Sequence, residues 1–159
     1  MSEYSKKVRS ALDAAVTAIG GQPREGQIEM AEAVANALSD RHHLLVQAGT
    51  GTGKSLAYLV PALVHGKKVL VATATLALQR QLVERDLPKI KAALDKELKR
   101  DITFAIYKGV GNYICLQKMN NAPNDPEAQA VLEVSSLEAD AKRLRAWAQS
   151  ANATGDRDD

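Results

Sequence analysis

Apolar residues recur every three or four positions over the first forty residues, which predicts two amphipathic helices. The first stripe ends at Gly20-Gly21, and glycine commonly terminates helices. The second stripe follows Pro23. The apolar positions are Tyr4, Val8, Leu12, Ala15 and Ile19 in the first helix, and Ile28, Ala31, Ala35 and Leu38 in the second. We therefore expect an N-terminal helix within residues 1–22 and a second helix directly after it.

Three short apolar runs farther along the chain, at 43–46, 68–73 and 102–107, have the length of buried strands. Helical patterns over 54–64 and 88–99 separate these runs. The alternation of strand and helix predicts an α/β fold with a mainly parallel sheet. A linker at 121–126, in which Pro and Asn cluster, then precedes a long helix predicted over 127–149.

The composition is typical of one globular domain. The chain has 159 residues, of which 45% are hydrophobic, and its net charge of +2 is too small to indicate a nucleic-acid partner by itself. A basic stretch at 89–100 also contains acidic residues, so we interpret it as a solvated helix face. The single cysteine excludes an internal disulfide framework. The longest apolar run, 56–64, is about half of a bilayer span, so we expect a cytoplasmic protein with no membrane partner.

Residues 46–55 fit the phosphate-binding loop of nucleoside triphosphatases, with alanine in place of the first glycine. The loop lies between a predicted strand and a predicted helix, which is the context that the motif requires. Its glycines adopt positive φ at little cost, so backbone N–H groups can point at the phosphates. Lys54 would contact the β- and γ-phosphates of ATP, and Ser55 would bind Mg²⁺. The predicted nucleotide-binding residues of the loop are Ala48, Gly49, Thr50, Gly51, Thr52, Gly53, Lys54 and Ser55.

Arg24 and Gln27 lie three residues apart, on one face of the second helix. A glutamine amide can both donate to and accept from an adenine edge, and an arginine can stack on a base. Two solvated side chains on a helix surface are the alternative interpretation.

Two hydroxyl groups, those of Thr73 and Thr75, lie where the second predicted strand runs into a helix. The carboxyl end of a strand is where open α/β sheets bind ligands. Hydroxyls and free helix N–H groups can bind phosphates without reading sequence, as movement along a nucleic-acid strand requires. Thr75 is also a candidate helix cap, and the two roles are compatible.

The third predicted strand is followed by a loop at 108–115 that contains the cysteine, Cys115. Without further context, a lone cysteine is usually a small buried apolar residue.

Taken in order, four motifs resemble the N-terminal part of DinG-type helicases, which belong to the superfamily 2 iron–sulfur DNA helicases that include XPD. They are Arg24 with Gln27, the loop at 48–55, the segment 73–82, and Asn-Tyr-Ile-Cys at 112–115. The phosphate loop is shared by many families, whereas Asn-Tyr-x-Cys after the third strand is more specific. The resemblance covers about residues 24–159.

The resemblance implies a partial RecA-like motor domain over 23–108 and the start of an iron–sulfur insertion over 109–159. Arg24 and Gln27 would form the adenine-recognising Q motif. Thr73, Thr75 and Gln79 would belong to motif Ia, which contacts the backbone of single-stranded DNA. Cys115 would be the first of four cysteines that hold a [4Fe–4S] cluster.

Several parts of such a helicase do not occur in this sequence: the Asp-Glu-Ala-His box, three further cysteines, and the second motor lobe with its arginine finger. An arginine finger alone contributes about 10³- to 10⁵-fold in rate. We therefore expect the chain to be a fragment that binds nucleotide poorly, hydrolyses it negligibly and depends on the rest of the helicase polypeptide as its partner. The complete protein would move 5′ to 3′ on single-stranded DNA and unwind duplexes in repair or replication.

Two other classes of protein fit the phosphate loop. One is a different nucleotide-hydrolysing or nucleotide-transferring enzyme, such as a nucleotide kinase or an AAA-type ATPase. The other is a non-catalytic nucleotide-binding or interaction module that docks a partner through the long C-terminal helix. The sequence leaves the oligomeric state open.

Overall fold

The computed structural model describes residues 3–121, 135–150 and 152–158. The chain divides into two compact units, Met1–Ile106 and Tyr107–Asp159.

The first unit is built from helices that carry the expected apolar stripes. They are α1 Glu3–Ala18, α2 Glu25–Asp40, α3 Lys54–His65, α4 Leu76–Arg80, a π-helical turn Gln81–Asp86, and α5 Leu87–Leu98. Gly20 has a φ of 79° just after α1, as a glycine helix terminus requires. The helices predicted within 1–22, after Pro23, over 54–64 and over 88–99 are therefore confirmed.

The N-terminal helix α1 is a central part of the core of this unit, since it packs against α2, α3 and α5. Its inward residues are at most 2% exposed: Val8, Ala11, Leu12, Ala15 and Val16. The helices around it contribute Ala31 and Ala35 from α2, Leu56, Ala57, Leu59 and Val60 from α3, and Leu87, Ile90 and Leu94 from α5. Full burial of a Leu or Ile side chain stabilises a fold by about 1.5–3 kcal/mol. The position of α3 thus depends directly on α1.

A polar contact also joins α1 to α3. The Tyr4 hydroxyl donates to the carbonyl oxygen of Pro61 at 3.3 Å, and the Tyr4 ring meets the His65 ring edge to face at a centroid distance of 6.4 Å. Although proline has no N–H for the helix ladder, α3 continues through Pro61 and ends at Gly66, whose φ is 81°.

The three predicted strands lie in segments without regular secondary structure, and the described residues contain no β-ladder. The parallel sheet is therefore not confirmed. A strand exists only where a neighbouring strand pairs with it, and apolar side chains on the first two of these segments remain uncovered. Leu45 is 98% exposed and Leu70 is 89% exposed.

The second unit contains a short 3₁₀ turn, Val110–Asn112, and two helices, α6 Leu116–Asn121 and α7 Ser135–Ala148. The helix predicted over 127–149 is confirmed over Ser135–Ala148. Its first part, and the predicted linker beyond residue 121, lie outside the described residues.

Residues 154–158, which we call the return segment, pair with the loop that precedes α6. Tyr113 and Asp156 form an antiparallel bridge. The Ile114 N–H donates to the Gly155 carbonyl at 2.8 Å, and the Arg157 N–H donates to the Asn112 carbonyl at 2.9 Å. The two ends of this unit are thereby joined by backbone hydrogen bonds.

Within the described ranges, no helix combines the length and the apolar character that crossing a membrane would require.

Candidate functional site

The glycine-rich loop closes into a turn that leads directly into α3. Gly51 and Gly53 have φ values of 78° and 80°, in the left-handed region that favours glycine, and Gly53 is the N-cap of α3. The Thr52 hydroxyl donates to the Gly49 carbonyl at 3.0 Å, which narrows the turn. This geometry brings backbone N–H groups and the positive end of the helix dipole together at the loop, an arrangement that suits an anion.

The side chain of Gln27 fastens this loop to α2. Its Nε2 donates to the Gly53 carbonyl oxygen at 3.0 Å, and the residue is only 4% exposed. A Cβ atom on Gly53 would overlap the Gln27 amide. Gly53 is therefore required both for its positive φ and for the close approach of Gln27.

Arg24 makes a second connection from the same helix turn. It is the N-cap residue of α2, and its Nη1 donates to the Gly51 carbonyl oxygen. Arg24 and Gln27 thus lie at the phosphate loop, as the predicted site requires. The sequence did not predict that both side chains bind the backbone of the loop. The spacing of two residues on one helix does not indicate which other segment their side chains contact.

Lys54 lies inside the curve of the loop. Its Nζ donates to the carbonyl oxygens of Ala48 at 3.1 Å and Gly49 at 2.5 Å. These bonds hold a positive charge over the concave side of the loop. Two further residues of the predicted site carry hydroxyl groups. Ser55 is half-buried in α3, and Thr50 is exposed.

Thr73 and Thr75 form a local cap at the start of α4. The Thr75 hydroxyl oxygen accepts the Leu78 N–H at 3.3 Å, and the Thr73 hydroxyl donates to the Thr75 carbonyl at 3.1 Å. The capping role expected for Thr75 is confirmed. Gln79 is half-buried within α4. The Gln79 N–H donates to the Thr75 carbonyl at 3.2 Å, so the three residues lie together at the start of α4.

Cys115 is exposed at the start of α6, and its carbonyl accepts the Met119 N–H at 3.0 Å. The interpretation of this cysteine as a small buried apolar residue is therefore wrong. Across the described residues, no group of three or more His, Cys, Asp or Glu side chains is arranged to hold a metal ion. A [4Fe–4S] cluster needs about four thiolates, so the residues of this chain do not by themselves fit one.

The second unit contains a buried ion cluster that the sequence did not predict. Lys108 is only 4% exposed, and its Nζ contacts Asp156 at 2.5 Å and Asp158 at 2.8 Å. Hydrogen bonds to these two carboxylates raise the pKa of Lys108, and the bond to Lys108 lowers the pKa of Asp156. These residues carry no motif and are far apart in the chain, which is why pattern analysis could not connect them.

The comparison with protein families shows the class of protein to which this chain belongs. Residues 26–124 match the DEAD/DEAH box helicase family, and the chain belongs to that family.

Particular relatives narrow the type of helicase. The chain is 50% identical over 173 aligned residues to the ATP-dependent helicase DinG of Mycobacterium tuberculosis, an alignment that covers 100% of this chain and 26% of the relative. It is 44% identical over 137 residues to the ATP-dependent DNA helicase YoaA of Haemophilus influenzae, with 86% of this chain and 20% of the relative covered. It is 35% identical over 124 residues to the 3′-5′ exonuclease DinG of Bacillus subtilis, with 74% and 13% covered. The chain thus spans about a quarter or less of the length of these relatives, and no solved structure matches it significantly.

Proposed function

We propose that this chain supplies the ATP-binding part of an ATP-dependent DNA helicase of the DinG type. In the complete protein, ATP hydrolysis would drive movement along single-stranded DNA and duplex unwinding during repair or replication. The observation that carries the proposal is the phosphate loop with Lys54 in its curve, fastened to α2 through Gln27 and Gly53. The alignment with proteins named as helicases supports it.

Nucleotide binding would exchange one set of contacts for another. The loop N–H groups would donate to the phosphate oxygens, and the Lys54 ammonium would leave the carbonyl oxygens of Ala48 and Gly49 for the β- and γ-phosphates. Ser55, one residue into α3, would supply its hydroxyl to Mg²⁺. A bound Mg²⁺ would neutralise charge on the phosphates.

Arg24 and Gln27 would both shape the loop and recognise the base. The Gln27 amide nitrogen already donates to Gly53, so its carbonyl oxygen is the group that would accept the adenine amino group. The Arg24 guanidinium is exposed and has five N–H donors, of which its bond to Gly51 uses one. Its planar face would stack on the adenine ring.

DNA contact would come from the group at the start of α4. The Thr75 hydroxyl oxygen accepts from Leu78, which leaves its hydrogen to donate to a phosphate. Thr73 and Gln79 would contact the same backbone. Contacts of this kind position a strand without reading its sequence.

The parts of the motor that this sequence does not contain would come from the rest of the helicase polypeptide. We propose that its strands pair with the exposed apolar segments 43–46 and 68–73 in a RecA-like, mainly parallel sheet over 23–108. Residues 109–159 would begin the iron–sulfur insertion, in which Cys115 supplies one thiolate and the other ligands come from outside this chain. We place the complete protein in the cytoplasm.

The test is single-stranded DNA stimulation of ATPase activity in the complete polypeptide. We expect stimulation in the unaltered protein and its loss in Lys54→Ala, with the protein still folded. Lys89→Ala is the matched control, since Lys89 is an exposed lysine on α5 outside the site. Turnover that ignores DNA and phosphorylates an added acceptor would identify a kinase instead. Nucleotide binding without turnover would identify a binding module.

A further inference from the structure

The C-terminal ends of α3 and α5 meet at a close contact between a glycine and an arginine. A Cβ atom on Gly66 would lie 3.1 Å from Nη1 and 3.3 Å from Cζ of Arg100, so the guanidinium packs on the bare glycine backbone. Gly66 has a φ of 81°, and it is the residue that ends α3. Two turns that are distant in the sequence are thereby brought together.

Three further cations adjoin this contact in the sequence, and together with Arg100 we call them the basic patch: Lys67, Lys68, Lys99 and Arg100. All four are exposed. Two follow the end of α3, and two follow the end of α5, where Lys99 is the C-cap residue with a φ of 49°. The sequence predicts a solvated helix face for the basic stretch at 89–100, and no spacing pattern joins residues 67–68 to that stretch.

The carboxylate next to the patch is already neutralised. Asp101 binds the Lys91 ammonium, which also lies 3.5 Å from an oxygen of Asp95. The bond to Asp101 raises the pKa of Lys91 and lowers the pKa of Asp101. In the part of the chain that the structure describes, no ion pair involves a member of the basic patch. Among the described side chains, therefore, no carboxylate compensates the four positive charges of the patch.

Helix capping accounts for only part of this arrangement. A cation near a helix C-terminus typically stabilises the helix by about 0.3–1 kcal/mol, and the effect falls off within the last turn. One cation at each helix end would satisfy that role. Four exposed cations at one place exceed it and create a local positive potential.

We propose that the basic patch binds the phosphate backbone of duplex nucleic acid, at the end of α3 that lies opposite the phosphate loop. This inference rests on the proposed helicase function. α3 has 12 residues and spans about 18 Å, so the patch and the phosphate loop lie at opposite ends of it. Lysine and arginine contacts to phosphates position a duplex without reading its sequence. A duplex carries about one negative charge per 1.7 Å of axis, twice the density of a single strand, which suits clustered cations.

The experiment compares two doubly substituted forms of the complete protein. Lys67→Gln with Lys68→Gln removes two charges from the patch and leaves the packed Arg100 intact. Lys6→Gln with Lys89→Gln removes two exposed lysines elsewhere and is the control. Binding to a forked DNA and to a single strand is measured over a range of salt concentrations, together with single-strand-stimulated ATPase activity.

We expect the patch variant to bind the fork about five- to tenfold more weakly, with a salt slope smaller by about one to two. Single-strand stimulation should be unchanged. Fork binding equal to that of the control would overturn the proposal and would leave an acidic protein partner as the alternative. An equal loss of affinity for the forked DNA and for the single strand would also overturn it, because the patch would then bind single-stranded DNA. If single-stranded DNA does not stimulate the ATPase activity of the unsubstituted protein, the proposed function itself is refuted.

Discussion

Gln27 donates its side-chain amide to the carbonyl oxygen of Gly53 at 3.0 Å, and this bond joins the first turn of α2 to the N-cap of α3. The phosphate loop is thus held from outside by a buried side chain and not only by its own turns. This relationship places a residue from 26 positions earlier in the sequence against the loop. In the proposed function, loop geometry and base recognition would therefore depend on one side chain.

Replacing Gln27 with Ala should raise the KM for ATP in the complete protein by about fivefold. The Gly53 carbonyl would keep the Ala57 N–H as a donor at 3.2 Å but would lose its bond to α2, and one hydrogen bond typically contributes about 0.5–1.5 kcal/mol. Steady-state ATPase measurements over a range of ATP concentrations check this. Gln22→Ala is the control, since Gln22 is exposed just before α2. An unchanged KM in the Gln27 variant would contradict a role in holding the loop.

Replacing Leu12 with Ala should destabilise the first unit by about 2–5 kcal/mol, because Leu12 is fully buried and its loss leaves a cavity. The cavity lies within the core to which α3 contributes, so ATP binding should weaken as well. Thermal unfolding with and without ATP measures both effects. Ile19→Ala is the comparison, since Ile19 lies beyond α1 and is 39% exposed. Equal unfolding temperatures for the two variants would mean that α1 is dispensable to the core.

Replacing Asp156 with Asn should loosen the return segment from the loop before α6, because it removes a carboxylate that Lys108 contacts at 2.5 Å. We expect faster amide hydrogen exchange at Ile114 and Arg157, whose N–H groups bond across this pairing. Asp140→Asn is the control, since Asp140 forms an exposed ion pair with Arg143 on α7. Faster exchange at the same two amides in the control would show that the ion cluster has no special role.

The same cluster predicts a pH dependence of the second unit. The folded pKa of Asp156 lies below the ordinary value of 3.8, so its stabilisation is present above pH 3.8 and is lost as pH falls through the folded pKa. The folded pKa of Lys108 lies above 10.5, so its stabilisation is present below pH 10.5 and is lost as pH rises through the folded value. After correction for intrinsic exchange, the protection of the Ile114 amide against hydrogen exchange should therefore be constant between pH 3.8 and pH 10.5 and should decrease outside this range. Asp156→Asn should abolish the acid limb.

Local patterns predicted local structure well in this chain. The period of apolar residues located α1, α2, α3 and α5, and a glycine after α1 marked its end, because helices are stabilised by contacts between near neighbours. Contacts across long stretches of chain were missed. Lys108 and Asp158, 50 residues apart, form an ion pair that no spacing rule indicates. The predicted strands are the intermediate case, since their apolar runs are local but their pairing requires distant partners.

The exposed apolar segments predict how the 159-residue chain behaves by itself. Leu45 and Leu70 are 98% and 89% exposed, and uncovered apolar strand segments recruit other chains. We expect the chain to self-associate at micromolar concentration, and Leu45→Lys with Leu70→Lys to shift it toward monomer in sedimentation velocity. Val110→Lys is the control, since Val110 is 82% exposed in the second unit and lies outside these segments.

In the complete protein the Leu45 and Leu70 substitutions should instead lower the unfolding temperature, because pairing with the remaining strands would bury the two leucines. A dilute unsubstituted chain that sediments as a monomer and unfolds in one sharp cooperative transition would contradict this account, since its segments 43–46 and 68–73 would then need no covering strands.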